Sequence, residues 1–209
     1  MVNIILCILF GYLFGSFSTG YFIGKMKNID IREYGSKSAG TTNALRTLGP
    51  KAGAITLVGD MLKAVIAILL VKFVFFAESD AVILLSLYTG LGVVIGHNYP
   101  VWLKFKGGKG IAATGGAMAA VDPWIIPLAL PVFVLSVAVT RYVSVGSLLV
   151  AVTFPIWIAV RNPGDIHMLF VALAYTVLAF IKHRSNIKRL LTGTENKLGQ
   201  RIKIDEKNE

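Results

Sequence analysis

Cysteine, histidine and acidic residues are all scarce in this chain of 209 residues. Its one cysteine, Cys7, sits in an apolar run, so no disulfide forms within the chain and no thiol cluster is available to a metal. Charge is low as well. Asp, Glu, Lys and Arg make up 15% of the residues, against about 25% in ordinary soluble domains. Of these, 11 are acidic and 21 basic, a net charge of +10. In a soluble protein that excess suggests nucleic acid. Here the basic residues fall in the gaps between long apolar blocks, which points to membrane topology, anionic headgroups or an anionic substrate, and not to nucleic acid. No basic stretch precedes the first apolar run, so that run reads as a retained span and not as a cleaved signal. Internal repeats and low-complexity segments are missing. So is a Walker A loop, because Lys109 is followed by Gly110 in place of Ser or Thr.

What remains is one polytopic membrane domain over residues 1–209. The pattern predicts an all-α integral membrane protein with about seven transmembrane helices, near residues 3–24, 52–76, 81–97, 110–121, 123–140, 143–160 and 166–182. In the first, Gly11 and Gly15, and Ser16, Gly20 and Gly24, recur every four residues, a spacing that lets a neighbouring helix approach closely. The fourth is short: twelve residues rise roughly 18 Å, against a hydrocarbon core of about 30 Å. Charge parity makes it a crossing through a locally thinned region. The basic stretches at 25–51, at 98–109 and from Lys182 onward belong on one side, the cytoplasm. The N-terminus is then outside and the C-terminus cytoplasmic, with short interfacial helices on the cytoplasmic face. A polar, mobile tail is expected from about residue 194 to 209. Asp122-Pro123 reads as an N-cap followed by proline at the first helical position, and Pro127 and Pro131 are expected to kink the helix that follows. Asp60 and Lys63, three apart and deep in the second span, face either each other or a ligand.

Three polar stretches share the cytoplasmic surface in this topology. The first runs from Ser36 to Arg46. A short helix is expected from Ala39 to Gly49-Pro50, with Ser36 and Ser38 at its N-terminus, where free N–H groups and the dipole favour an anion. Asn43 and Arg46 share a face of it. The second stretch gathers Lys104, Lys106 and Lys109 around Gly107, Gly108 and Gly110. Glycines let backbone N–H groups converge as an anion nest, and lysines add full charge. In the third, at the end of the last span, His183, Asn186 and Arg189 recur every three residues. Ser144 and Ser147 lie in an adjoining turn. Each stretch alone fits an ordinary basic flank or a helix cap. Together they make a site for one or two phosphate-bearing ligands at the bilayer surface. A transporter for an anionic phosphorylated metabolite would use the same charges, and broken helices in two matching halves would mark it; no such symmetry is visible. A lipid-binding membrane protein without activity is a further alternative.

The same residues carry a resemblance. Gly15-Ser16 with Gly20-Tyr21, Tyr34-Gly-Ser-x-x-x-Gly-x-x-Asn43-x-x-Arg46, Gly96-His-Asn-Tyr-Pro with Phe105-Lys-Gly-Gly-Lys-Gly110, and His183-Arg-x-Asn-Ile-x-Arg189 ending in Gly193-Thr-Glu195 are similar, in order and spacing, to the bacterial acyl-phosphate:glycerol-3-phosphate acyltransferase (PlsY) family. The match runs over nearly the whole chain. Two positions depart from it. The family usually reads Gly-Ser-Gly-Asn where this chain has Gly35-Ser36-Lys37-Ser38, and often proline where it has Ser18.

The resemblance implies transfer of an acyl group from acyl phosphate to the 1-hydroxyl of sn-glycerol 3-phosphate. The products would be lysophosphatidic acid and phosphate, in the first step of phospholipid biosynthesis. It further implies a multi-pass protein of the bacterial inner (cell) membrane with its active site facing the cytoplasm, and a functional link to the enzyme that makes acyl phosphate. Ser36, Arg46, Lys109, His183 and Asn186 are the catalytic candidates. Ser38, Asn43, Lys104, Gly107, Gly108, Gly110, Ser144, Ser147 and Arg189 are the substrate-binding candidates. No metal or cofactor is expected. The H-x-x-x-x-D pair of acyl-CoA-dependent glycerol-3-phosphate acyltransferases is missing after His97, His167 and His183. Either His183 or the donor's own phosphoryl oxygen must then take the hydroxyl proton. The second is preferred, because His183 stands among cations.

Overall fold

The computed structural model describes residues 1–200, and among them every regular element is helical. The helices are α1 (Val2–Ser16), α2 (Thr19–Lys25), α3 (Thr41–Leu48), α4 (Pro50–Leu70), α5 (Val82–Asn98), α6 (Ile111–Val121), α7 (Ile126–Thr140), α8 (Val143–Arg161) and α9 (Ile166–Leu191). Six stretches are long and apolar enough to cross a membrane: Val2–Lys25, Pro50–Phe75, Val82–Leu103, Pro123–Thr140, Val143–Arg161 and Ile166–Leu191. Their outer faces carry exposed Leu, Val and Phe side chains, among them Leu135, Val160 and Phe170. That is the inversion expected where the surrounding solvent is lipid.

The seventh expected span, α6, is the short one. It packs on α4, α5 and α8 inside the bundle. Its last carbonyls, of Ala120 and Val121, accept from the Lys72 ammonium at 3.4 and 3.2 Å. Backbone acceptors that lipid would leave bare are thereby satisfied, and a helix of eleven residues can end within the bundle.

The first expected span is interrupted. α1 stops at Ser16 and α2 starts at Thr19. Lys63 of α4 supplies the reason: its Nζ donates to the Gly15 carbonyl at 3.0 Å and to the Phe17 carbonyl at 2.6 Å, capturing acceptors that the break releases. Above the break, α1 and α5 meet through small residues. A Cβ at Gly11 or Gly15 of α1, or at Gly92 or Gly96 of α5, would lie 2.0–2.3 Å from a carbonyl oxygen of the facing helix. Any larger residue there forces the pair apart.

α3 starts two residues later than expected, with Gly40 as its N-cap. Ser36 and Ser38 therefore belong to the loop before it. Gly49 ends α3 at φ +92°, in the left-handed region that favours glycine, and Pro50 opens α4. Asp122 accepts from the Trp124 amide at 3.1 Å and caps the turn Pro123–Ile125 that leads into α7, as Asp122-Pro123 predicts. Pro127 lies in the first turn of α7 and Pro131 inside it.

The expected tail from residue 194 departs most from the prediction. The Leu198 amide donates to the Arg141 carbonyl at 2.7 Å, and Glu195 is only 7% exposed. This strap folds back onto α8 and α9 because the Glu195 carboxylate finds three donors there. Residues 201–209 of that tail lie outside the described residues.

Candidate active site

α3, α4, α6, α7, α8 and α9 line a cavity of about 420 Å³. One set of lining residues is polar and comes from helix ends and loops: Ser36, Ser38, Arg46, Lys109, Ser144, Ser147, His183 and Asn186. The other set is apolar and comes from helix interiors, including Met61, Ile111, Gly115, Met118, Leu130 and Phe133.

The loop before α3 is shaped by Asn43. Its side-chain amide donates to the carbonyls of Ile31 at 2.7 Å, Ser38 at 2.8 Å and Tyr34 at 3.2 Å, and its Oδ1 accepts from the Ser36 amide at 2.9 Å. Asn43 borders the cavity, but its donors are spent on the loop. It holds Ser36 and Ser38 in place. Ser38 Oγ in turn accepts from the Gly40 amide at 3.3 Å. Thr41, at the start of α3, carries a buried hydroxyl with no partner among the described residues, and it lines the cavity. Sequence reasoning passed over it; only its place at a helix N-terminus could have marked it.

Two of the glycine amides expected to form an anion nest are spent on the protein itself. The amides of Gly107 and Gly108 donate to the carbonyls of Asn98 and His97, at 3.3 and 3.0 Å. A Cβ at either glycine would lie 2.0 Å from an atom of His97. The two glycines serve close packing against the end of α5. What the stretch delivers to the cavity is Lys109, followed by Gly110 at φ +83° as the N-cap of α6. Lys104 is not delivered. The chain reverses through Lys104 and Phe105 at φ +54° and +59°, and Lys104 stays exposed and does not line this cavity.

Glu195 links the third stretch to the second. Its carboxylate accepts from Asn186 Nδ2 at 2.7 Å, Arg189 Nε at 2.7 Å and Ser144 Oγ at 3.1 Å. Asn186 Oδ1 accepts from the Lys109 ammonium. The order Lys109–Asn186–Glu195–Arg189 orients the carboxamide and anchors the ammonium. Arg189 therefore stands behind Glu195 and does not line the cavity. Burial opposes the Glu195 charge, but the hydrogen bonds from Asn186 and Arg189 outweigh it and hold the carboxyl below its usual value. Burial also lowers Lys109 to about 8; Glu195 opposes that shift, and Arg189 and Arg46 add to it. Arg46 is pushed below its usual value by burial, and a guanidinium N–H donates to the Asn196 carbonyl at 3.0 Å.

His183 Nδ1 lies 2.7 Å from the Ala179 carbonyl. A carbonyl only accepts, so Nδ1 carries a proton and Nε2 is the nitrogen left for a ligand. Ser147 Oγ donates to the Val143 carbonyl at 2.9 Å, which leaves its lone pairs for the cavity.

Asp60 and Lys63 do pair, at 3.0 Å, with His97 Nδ1 at 3.5 Å from the same carboxylate oxygen and 2.9 Å from Lys63 Nζ. All three are buried. The cluster ties α4 to the α1–α2 break and to the end of α5. Among the described residues no three His, Cys, Asp or Glu side chains group as a metal site.

Apolar helices around a cavity with lysine, arginine, hydroxyl and amide groups beside an apolar body define a membrane protein for ligands that join an anionic head to an apolar tail. The glycerol-3-phosphate acyltransferase family matches residues 5–193. A glycerol-3-phosphate acyltransferase of Clostridioides difficile (strain 630) is 47% identical, over 91% of this chain and 93% of that one. One from Thermoanaerobacter sp. (strain X514) is 45% identical, over 96% and 98%. The crystal structure of PlsY (YgiH), an integral membrane glycerol 3-phosphate acyltransferase, in its glycerol 3-phosphate form superposes with a TM-score of 0.84 at 36% identity, over 94% of this chain and 96% of that one. Its lysophosphatidic acid form superposes with a TM-score of 0.82. The chain belongs to the glycerol-3-phosphate acyltransferase family and is a multi-pass membrane enzyme.

Proposed function

We propose that this enzyme acylates the 1-hydroxyl of sn-glycerol 3-phosphate with acyl phosphate as donor, at the cytoplasmic face of a bacterial inner membrane. The observation that carries the reading is the position of Lys109, where the polar residues of the cavity adjoin the apolar body. The solved relatives support the acceptor and the product, since their forms hold glycerol 3-phosphate and lysophosphatidic acid. Charge parity supports the cytoplasmic orientation. A donor of this kind implies a preceding reaction that makes acyl phosphate.

The acyl tail lies in the apolar body along α6 and α7, and its phosphoryl group stands beside Lys109. Arg46, His183, Asn186 and the Ser36 hydroxyl hold glycerol 3-phosphate. The acceptor hydroxyl attacks the acyl carbon, the bond from that carbon to the phosphate oxygen breaks, and phosphate leaves. The hydroxyl proton passes to the phosphoryl oxygen. Lys109 offsets charge on the oxyanion and the leaving group, while fixing both reactants supplies the orientation. Glu195 and Arg189 are positioning residues behind Asn186. Purified protein given acyl phosphate and glycerol 3-phosphate should release phosphate. No release, or equal turnover with acyl-CoA, would overturn the donor assignment.

Two variants probe the halves of the cavity. His183→Gln keeps a side chain of similar reach but removes the imidazole. We expect the KM for glycerol 3-phosphate to rise at least about tenfold while kcat falls less than about tenfold. A collapse of kcat with loss of a limb of the pH profile would instead make His183 the base. On the apolar side, a Cβ at Gly115 meets nothing within 4 Å, so a larger side chain there enters the cavity. Gly115→Leu should lower kcat/KM for a sixteen-carbon donor at least about tenfold and leave an eight-carbon donor within about threefold. Equal losses for both lengths would place the tail elsewhere.

A further inference from the structure

Ser36, Ser38 and Lys109 also form one wall of a second cavity, of about 380 Å³. Its other cations are Lys37, Lys182 and Arg184, and no carboxylate is among its lining residues. Lys182 is fixed there: its Nζ donates to the Asn98 carbonyl at 3.0 Å and sits 4.4 Å from the centre of the Tyr99 ring. Lys37 adopts φ +54°. In that left-handed region a β-carbon crowds the backbone, and glycine alone is free of strain. A lysine is held there all the same, on the border of a cavity that already has three other cations. Four cations around a polar recess with no carboxylate in its lining make a site for a small, highly charged anion.

We propose that this cavity is a second anion site, which receives orthophosphate once the acyl group has left it, apart from the subsite that holds the acceptor's phosphate. The inference rests on the reaction proposed above, in which phosphate is released beside Lys109. Lys109 is the one cation lining both cavities among the described residues. A departing phosphate can therefore pass from one to the other alongside Lys109, and repulsion from the second bound phosphate group favours its going.

Added orthophosphate should inhibit the wild-type enzyme in a way that saturating glycerol 3-phosphate does not relieve. In a Lys37→Gly, Arg184→Gln double variant, kcat and the KM for glycerol 3-phosphate, measured without added phosphate, should stay within about twofold, while the inhibition constant for orthophosphate rises at least about tenfold. Lys37→Gly alone should melt no lower than wild type, since it removes the strained side chain. An unchanged inhibition constant, or full relief by glycerol 3-phosphate in the wild type, would overturn the site. The assays are run in vesicles of phosphatidylcholine and of phosphatidylglycerol. The same shift in both supports free phosphate. A variant whose only change is a lost response to phosphatidylglycerol assigns the cavity to a lipid headgroup and ends the proposal. If the wild type releases no phosphate, the reaction is at fault and not the site. Orthophosphate should even then raise the melting temperature at saturating glycerol 3-phosphate in the wild type and not in the double variant; equal shifts would overturn the site.

Discussion

Replacing Lys109 with methionine should lower kcat by about a hundredfold to a thousandfold, the range set by removing a donor aimed at developing negative charge. Methionine keeps an unbranched side chain only one atom shorter and suits the buried position, so the loss would be chiefly one of charge. The folded value of about 8 lies below the usual 10.5 for lysine. Between these values the unfolded chain binds more protons than the folded one, so stability rises with pH across that window, by on the order of 3 kcal/mol at most. Lys109→Met should lack that rise, and thermal melts at pH 7.5 and pH 10 would show it. Activity runs the other way. The ammonium is needed charged, so kcat/KM should fall as pH rises through about 8. Lys109→Arg should retain part of the activity and move that limb upward. A wild-type profile flat to pH 10, or a methionine variant with near-normal kcat, would remove Lys109 from the chemistry.

The second large effect is on folding. Lys63→Met leaves the Asp60 carboxylate buried beside His97 and strips a donor from the carbonyls of Gly15 and Phe17. Breaking one partner of a buried pair costs about 3–5 kcal/mol, because the other charge is left uncompensated. The variant should be recovered in low yield and melt well below the wild type in the same detergent. Adding Asp60→Leu removes the stranded charge and should restore much of the loss, so the double variant melts above Lys63→Met alone. A single variant as stable as the wild type would show that the cluster has another purpose.

Much of this architecture could be read from the residue order. Long apolar runs set where the spans lie, and small residues every four positions marked the α1 face that meets α5. The polar motifs drew attention to Ser36, Arg46, Lys109, His183 and Asn186, which the fold brings to one cavity. Other roles could not be told apart in one dimension. Lys104 and Lys109 are two lysines of one glycine-rich stretch. Only the reversal at Lys104 and Phe105 keeps the first exposed while the second reaches Asn186. Asn43 has the look of a ligand contact, yet its amide is spent on carbonyls 5 to 12 residues away in the chain. Glu195 sits in what reads as a polar tail. Its partner Ser144 is 51 residues distant.

Composition and motif order thus determined a helical membrane protein of this family and the set of side chains from which its site is drawn. Hydrophobic runs and local spacing act over a few residues, so they survive in the bare sequence. Which lysine reaches the cavity, which amide is free, and that the strap after α9 returns to hold Asn186 were decided by the tertiary structure. Hydrogen bonds are satisfied in space, and a buried donor takes whichever acceptor the packed helices bring to it.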